Sequence, residues 1–308
     1  MIWIRSLFRW CPTSTQLLRE AEKNILRNLK CSYRGQYVNI GKAVGSKDNE
    51  IWTVIANEES EKTPLVMIHG FGSGSALWCL NFDSLATYRP VYAFDIIGKN
   101  RFFTSNLNGI VLICLNKHKK VQDHYLVIGF GRSSRPTFNS EALEAEGEFI
   151  NSIEAWRSSL NLEKFILLGH SFGGFLAASY AIKHPDRISH LILADPWGFP
   201  ERPLDVAERY NLPLWVKAVG AIVQPFNPLF LLRTAGPLGY SSWFLNILGP
   251  KIVQKVRPDL IRKFSGLVKD ADEVIPNYLY HCNAQNPSAV PSPELGFGEL
   301  GIANSSKP

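Results

Sequence analysis

The sequence predicts an α/β fold: a mostly parallel sheet with helices on both faces, carrying a helical cap. Three observations predict it. Short apolar runs of strand length alternate along the chain with stretches of helical spacing. Those runs are apolar almost throughout, as strands covered on both faces are, and do not alternate apolar with polar. "ILLGHSFGGFLAASY" (166–180) reads as a strand, a tight glycine turn and a helix in immediate succession, with Ser171 at the apex.

The elements follow in order. Residues 14–30, "STQLLREAEKNILRNLK", place Leu17, Leu18, Ala21, Ile25 and Leu29 on one side of a helix, with Thr13 or Ser14 as its cap. "EIWTVIA" (50–56), "PLVMIHG" (64–70), "RPVYAFDIIG" (89–98), "FILLGHS" (165–171) and "HLILADP" (190–196) read as strands. Helical patterns lie between them at 75–87, 141–160 and 172–184. From Trp197 to about Lys269, prolines, aromatics and helical runs replace strand patterning, as in a helical cap inserted over a sheet. Its Trp215, Phe226, Phe230 and Trp243 read either as cap core or as the lining of a mouth for apolar substrates.

Two stretches do not fit. Residues 99–129 separate "FDIIG" from "FGRSSRP"; without them the chain reads as one uninterrupted strand-to-loop segment. The tail from Ser288 is rich in Gly, Ser and Pro and has no periodic face, so it reads as disordered. Both look foreign to the fold, as a translated intron and a shifted reading frame would. The expected division is therefore an N-terminal segment and helix (1–45), a core (46–196) with the insertion 99–129, a cap (197–281) and an aberrant tail (282–308).

Composition narrows the function classes. A chain of 308 residues, 45% hydrophobic, can bury a large core. The net charge of +6 is mild, and no Lys/Arg block is long enough to argue for nucleic acid; a general attraction to anionic lipid is as much as it supports. The 5 cysteines (Cys11, Cys31, Cys79, Cys114 and Cys282) are scattered and form no C-x-x-C pair, which points to a reducing, intracellular compartment. No apolar run is long enough to span a bilayer as a helix, and the opening "MIWIRSLFRWCPTS" lacks the apolar length and cleavage site of a signal peptide. Its Trp3, Phe8 and Trp10 suit a lipid–water boundary, since an indole offers an apolar body and a polar N–H.

The chemistry centres on G-H-S-F-G (169–173), which matches the G-x-S-x-G nucleophile elbow. Gly169 and Gly173 permit a strained turn and close approach of strand to helix, and His170 is the residue before the serine. Ser171 is the candidate nucleophile. "IHGFGSG" (68–74), a glycine loop after a buried strand, would supply the second half of an oxyanion hole, which we assign to the backbone N–H groups of Phe71 and Phe172. Such donors are worth roughly 3–4 kcal/mol each to a tetrahedral intermediate. His69 is then a loop brace. Asp195, ending the strand after the elbow helix, is a candidate acid or a cap for the turn into "PWGF".

These motifs, with "CPTS" (11–14), "PWGFPERP" (196–203) and "HCNAQNPS" (281–288), resemble one subfamily of the α/β-hydrolase fold. It contains the co-activator of adipose triglyceride lipase, also a lysophosphatidic acid acyltransferase, and a lysophospholipase acting on N-acyl phosphatidylethanolamine. The likeness covers 10–98 and 130–288. The mammalian co-activators carry asparagine where this chain keeps Ser171, as the lysophospholipase does. The resemblance implies ester hydrolysis or acyl transfer in phosphatidic acid biosynthesis and lipid homeostasis. It implies no metal or organic cofactor, with acyl-CoA as co-substrate for an acyltransferase. Lysophospholipid or acylglycerol would be the substrate. A cytoplasmic protein is implied, peripheral on lipid droplets or membranes or associated with mitochondria, with a triglyceride lipase as partner for a non-catalytic adaptor.

The resemblance also implies a triad histidine in an H-x-x-x-x-D motif near the C-terminus. The chain has 7 histidines: His69, His118, His124, His170, His184, His190 and His281. His118 and His190 have aspartate five residues on, but His118 lies in the insertion. His190 opens its strand, about 16 Å from the end that faces the site at ~3.3 Å per residue. His170 must point away from its neighbour, His184 ends a helix, and His281 comes before the last strands of the family, which we expect to be missing. The triad base is therefore expected to be absent, a loss on the order of a millionfold in kcat for a triad acting as a unit. An unpaired edge strand and exposed apolar surface are expected with it.

Overall fold

The computed structural model describes residues 13–98, 102–104, 124–126, 131–139, 141–198, 250, 253–254 and 257–284. The expected lipid-boundary residues Trp3, Phe8 and Trp10, most of the insertion, the cap aromatics Trp215, Phe226, Phe230 and Trp243, and the tail from 285 onward lie outside the described residues.

Helix α1 (Thr15–Leu26) starts where its cap allows: the Ser14 side chain accepts from the Leu17 N–H at 3.1 Å. Strands β1 (Tyr33–Gly41), β2 (Asn49–Ala56), β3 (Leu65–Ile68) and β4 (Val91–Phe94) follow; a short 3-10 turn (Ser75–Trp78) and α2 (Cys79–Ala86) lie between the last two. Two short strands, β5 (Phe102–Thr104) and β6 (His124–Leu126), pair antiparallel with each other. Helix α3 (Ala142–Ser159), β7 (Phe165–His170), α4 (Phe172–Lys183) and β8 (Ile188–Ala194) complete the core, with α5 (Pro258–Phe264) and α6 (Ala271–Ala284) after them.

Among the described residues, the main sheet has six strands in the order β1-β2-β4-β3-β7-β8. β1–β2 and β2–β4 are antiparallel, and β4–β3, β3–β7 and β7–β8 are parallel. The sheet is thus mixed and mostly parallel, as expected. Side-chain parity splits the core in two. Ile51, Ile55, Val66, Ile68, Tyr92, Phe94, Phe165 and Leu167 pack under α3 and α4. Their alternates Trp52, Val54, Leu65, Met67, Val91 and Ala93 pack with α1, α2 and α6. A period of two along each strand, with both sets apolar, is why these runs show no polar alternation.

Three findings go beyond the sequence reading. β1 was not anticipated: "YRGQYVNIG" is polar and half-exposed, an antiparallel outer strand. Its Gly35 makes room for Trp52, whose ring occupies the space a Cβ would need. Helix α6 runs through the boundary drawn at 281/282 and packs against α1, with Ile275, Tyr278 and Cys282 fully buried. The stretch 271–284 therefore belongs to a core layer. Finally, the flanks of the interval 99–129 meet: the Arg132 N–H donates to Asp95 at 2.7 Å, Ser133 Oγ to the Asp95 carbonyl at 2.7 Å, and the Gly98 N–H to the Ser134 carbonyl at 2.9 Å. The stretches 95–98 and 131–134 thus meet across it.

Candidate active site

β7 and α4 are joined by a single residue, Ser171, with φ 54° and ψ −117°. A non-glycine residue there is strained by roughly 1–3 kcal/mol and persists only where its surroundings hold it. The Ser171 N–H donates to the Ala194 carbonyl at 3.1 Å, and its own carbonyl accepts from Gly174 (2.9 Å) and Trp197 (3.0 Å). The elbow is thereby stitched to the end of β8.

The glycines leave no room for a side chain. A Cβ on Gly169 would strike the Gly173 backbone, and one on Gly173 would strike the carbonyls of Ile68 and His69. The first turn of α4 therefore lies directly on the exit of β3. The loop that leaves β3 reaches the nucleophile: a Cβ on Gly70 would stand 3.0 Å from Ser171 Cβ. Phe71 and Phe172, the expected oxyanion residues, are brought together around Trp197, their rings 5.7 and 6.0 Å from its centre. Trp197 joins the wall beside Ser171, a role that sequence reading did not foresee; its only signal was an aromatic immediately after the β8 turn.

His69 braces that loop. It is buried, its Nε2 accepts from the Ile96 N–H at 3.0 Å, and its Nδ1 lies 2.8 Å from the Gly70 carbonyl. A donor at Nδ1 and an acceptor at Nε2 is the neutral imidazole, in keeping with burial lowering its pKa.

Beneath the loop sits Asp95, fully buried. One carboxylate oxygen accepts from the Ser75 N–H and the other from the Arg132 N–H, each at 2.7 Å. Asp95 thus clasps the β3 loop to the segment at 131–134. Arg132 continues inward: its guanidinium stacks 3.4 Å over Trp52 and donates to Glu22 of α1 at 2.9 Å. Burial pushes the Glu22 carboxyl up to about 7 against the pull of Arg132. The sequence signal for this network was slight, an aspartate ending an apolar strand.

The histidines are dispersed. The His170 ring stands edge-on to Trp78 at 6.4 Å and lies against Gly70; burial lowers its pKa, opposed by the charge of Asp195. His184 stacks on Tyr180, and His281 pairs with Thr13 at 3.2 Å. His190 sits beside Ser189 and opposite Ile166, at the far end of β8 from the elbow. Among the described residues, no ring nitrogen hydrogen-bonds Ser171. Asp195, at φ 48°, turns the chain out of β8. His118 and the side chain of His124 lie outside the described residues. Among the described residues no cluster of His, Cys, Asp and Glu is arranged to hold a metal ion, and no helix is long and apolar enough to cross a membrane.

The family described as the α/β-hydrolase fold matches residues 127–236. The chain is 47% identical over 278 residues to the rat protein named 1-acylglycerol-3-phosphate O-acyltransferase ABHD5, covering 90% of this chain and 65% of that one. It therefore spans about two thirds of the length of that relative. It is 45% identical over 277 residues to the bovine (lyso)-N-acylphosphatidylethanolamine lipase, covering 90% and 67%. Among solved structures, the carboxylesterase CesB of Bacillus subtilis aligns with a TM-score of 0.49 at 15% identity, covering 92% of this chain and 73% of that one. By its relatives, the chain belongs to the α/β-hydrolase family.

Proposed function

We propose that Ser171 is an acyl-accepting nucleophile for lipid esters, serving a lysophospholipase-type hydrolysis or acyl transfer to a lysophosphatidic acid. The observation that carries this reading is the left-handed Ser171, fixed at the elbow with the Gly70–Phe71 loop against it. The names of the acyltransferase and lipase relatives support the substrate class. In this reading Ser171 Oγ attacks the ester carbonyl, and the Phe71 and Phe172 amides hold the oxyanion. Collapse expels the alcohol, and water or an acceptor hydroxyl takes the acyl group. An acyltransferase would draw the acyl group from acyl-CoA, which needs no resident cofactor.

Among the described residues no imidazole hydrogen-bonds Ser171, and in this reading a serine with no base beside it is a poor nucleophile compared with one in a complete triad. That same observation favours a second reading, a lipid-surface adaptor for a triglyceride lipase, which needs no triad. Trp3, Phe8 and Trp10 would then hold it peripherally on droplets or membranes.

Long incubation with a fluorophosphonate, followed by peptide mass spectrometry, tests the first reading. It predicts a slow adduct on Ser171 that Ser171→Ala abolishes; an adduct on another serine, or none, sinks it. For the adaptor, flotation with oil droplets should be lost on replacing Trp3 and Trp10 by alanine. Unchanged flotation removes that role from the amino-terminal segment.

A further inference from the structure

Helix α6 reaches the loop that leaves β3 at two points. The Tyr278 hydroxyl accepts from the Ala76 N–H at 3.3 Å. Further along the helix, the buried Asn283 side chain meets Gly72: its Nδ2 donates at 2.7 Å to the Leu279 carbonyl of its own helix and at 2.7 Å to the Gly72 carbonyl. Nδ2 carries two N–H bonds, and both are used; the helix holds one and so aims the other. Gly72 stands third in the turn Gly70–Ser73, at φ 71°, the left-handed conformation that glycine takes there. A Cβ on it would lie 3.4 Å from Asn283 Oδ1. Inside the turn, the Gly70 carbonyl accepts from Ser73 Oγ at 2.9 Å and from the Ser73 N–H at 3.4 Å, with His69 Nδ1 at 2.8 Å.

We propose that Asn283 is a positioning residue for the oxyanion hole: by holding the Gly72 carbonyl it fixes the turn that aims the Phe71 N–H. The inference rests on Ser171 as nucleophile and on Phe71 as oxyanion donor. In a trans peptide the carbonyl and the N–H point in opposite directions. The donors of Ser73 and His69 hold the Gly70 carbonyl on one side, so the Phe71 N–H of the same peptide faces the other way. That arrangement lasts only while the turn keeps its shape. A left-handed glycine puts little steric barrier in the way of rearrangement, and Asn283 grips the turn at that glycine from a helix 211 positions away in the chain. The turn begins against the nucleophile, where a Cβ on Gly70 would stand 3.0 Å from Ser171 Cβ. A displacement of about 1 Å there moves the donor off the developing oxyanion, a misplacement that costs up to about a hundredfold in rate. Asn283 itself touches no reacting atom and acts through Gly72.

Saturation kinetics of fluorophosphonate labelling at Ser171, on the full chain, separate aiming from a general loss of structure, because phosphonylation places an oxygen in the oxyanion hole. Asn283→Ala should lower the maximal labelling rate about tenfold and leave the half-saturating probe concentration unchanged. Asn283→Asp, which keeps the shape of the side chain but not its donors, should do the same if Asn283→Ala harms folding. Ser73→Ala removes the hydroxyl from the Gly70 carbonyl and should also slow labelling. Combined with Asn283→Ala it should cost less than the product of the single effects, since both act through one turn. Hydrogen exchange across 71–77 should quicken about tenfold in Asn283→Ala, with β7 unaffected. An unchanged maximal rate, a change in half-saturation alone, or fully multiplicative effects overturns the proposal. A wild-type Ser171 that takes no label defeats the nucleophile reading instead. Loop exchange then decides by itself whether Asn283 holds the turn, and unchanged exchange overturns that hold.

Discussion

Gly173→Ala tests whether the elbow is held by contact between α4 and β3. The added methyl carbon would lie 2.8 Å from the Ile68 carbonyl carbon and closer still to the carbonyl oxygens of Ile68 and His69. Carbon atoms rest at about 3.5 Å or more, so the overlap is roughly 0.7 Å. Every atom struck is backbone, so no rotamer change relieves it; the helix and the strand must part. Overpacking of this kind costs about 1–3 kcal/mol, against a helix-propensity gain of up to ~1 kcal/mol from replacing glycine. We expect a net loss of about 1–2 kcal/mol. The control is Gly147→Ala in α3, where an added Cβ meets nothing within 4 Å. There only propensity acts, and a gain of about 0.5–1 kcal/mol is expected. Urea unfolding of both variants beside the wild type measures the two signs. Gly173→Ala as stable as wild type, with Gly147→Ala no more stable, would refute the contact argument.

Other predictions concern the network beneath the loop. Asp95→Ala leaves the Ser75 and Arg132 amides without their acceptor and should cost about 2–4 kcal/mol in urea unfolding, with Asp95→Asn recovering part of it. Full stability in Asp95→Ala would show that the clasp is not needed. Glu22, pushed up from 4.5 to about 7, keeps in the folded state a proton that the unfolded state has lost, so its contribution falls as pH rises across that window. Glu22→Gln should therefore flatten the decline in melting temperature between pH 5 and pH 8; an unchanged slope contradicts the burial argument. Trp156→Phe removes the 2.8 Å hydrogen bond to the buried Thr53 hydroxyl and should cost about 1–3 kcal/mol, with Thr53→Val added on top costing little more.

Much of this was legible in the sequence. Fully apolar strands and one-sided helices leave a periodic trace, so β2, β3, β4, β7, β8 and α1 through α4 fall where the pattern puts them. The elbow was legible because glycine and serine at fixed spacing between strand and helix satisfy one local geometry. The rest was not, for definite reasons. β1 is an outer antiparallel strand with a glycine placed for Trp52, so its pattern is polar and interrupted. The interplay of Asp95, Arg132 and Glu22 joins residues far apart in the chain and carries no local periodicity. Helix α6 contains Pro276 and is buried largely by packing on α1, which resembles cap patterning when read in one dimension.

The central claim is that Ser171 stands at a formed elbow and that, among the described residues, no imidazole is placed to take its proton. The pH dependence of its fluorophosphonate labelling, measured on the full chain with Ser171→Ala as blank, addresses it most directly. A serine activated only by hydroxide labels slowly, with a rate that climbs steadily from pH 6 to pH 9. Rapid labelling with an inflection in the imidazole range, near pH 6.5, would mean that one of the seven histidines is its base.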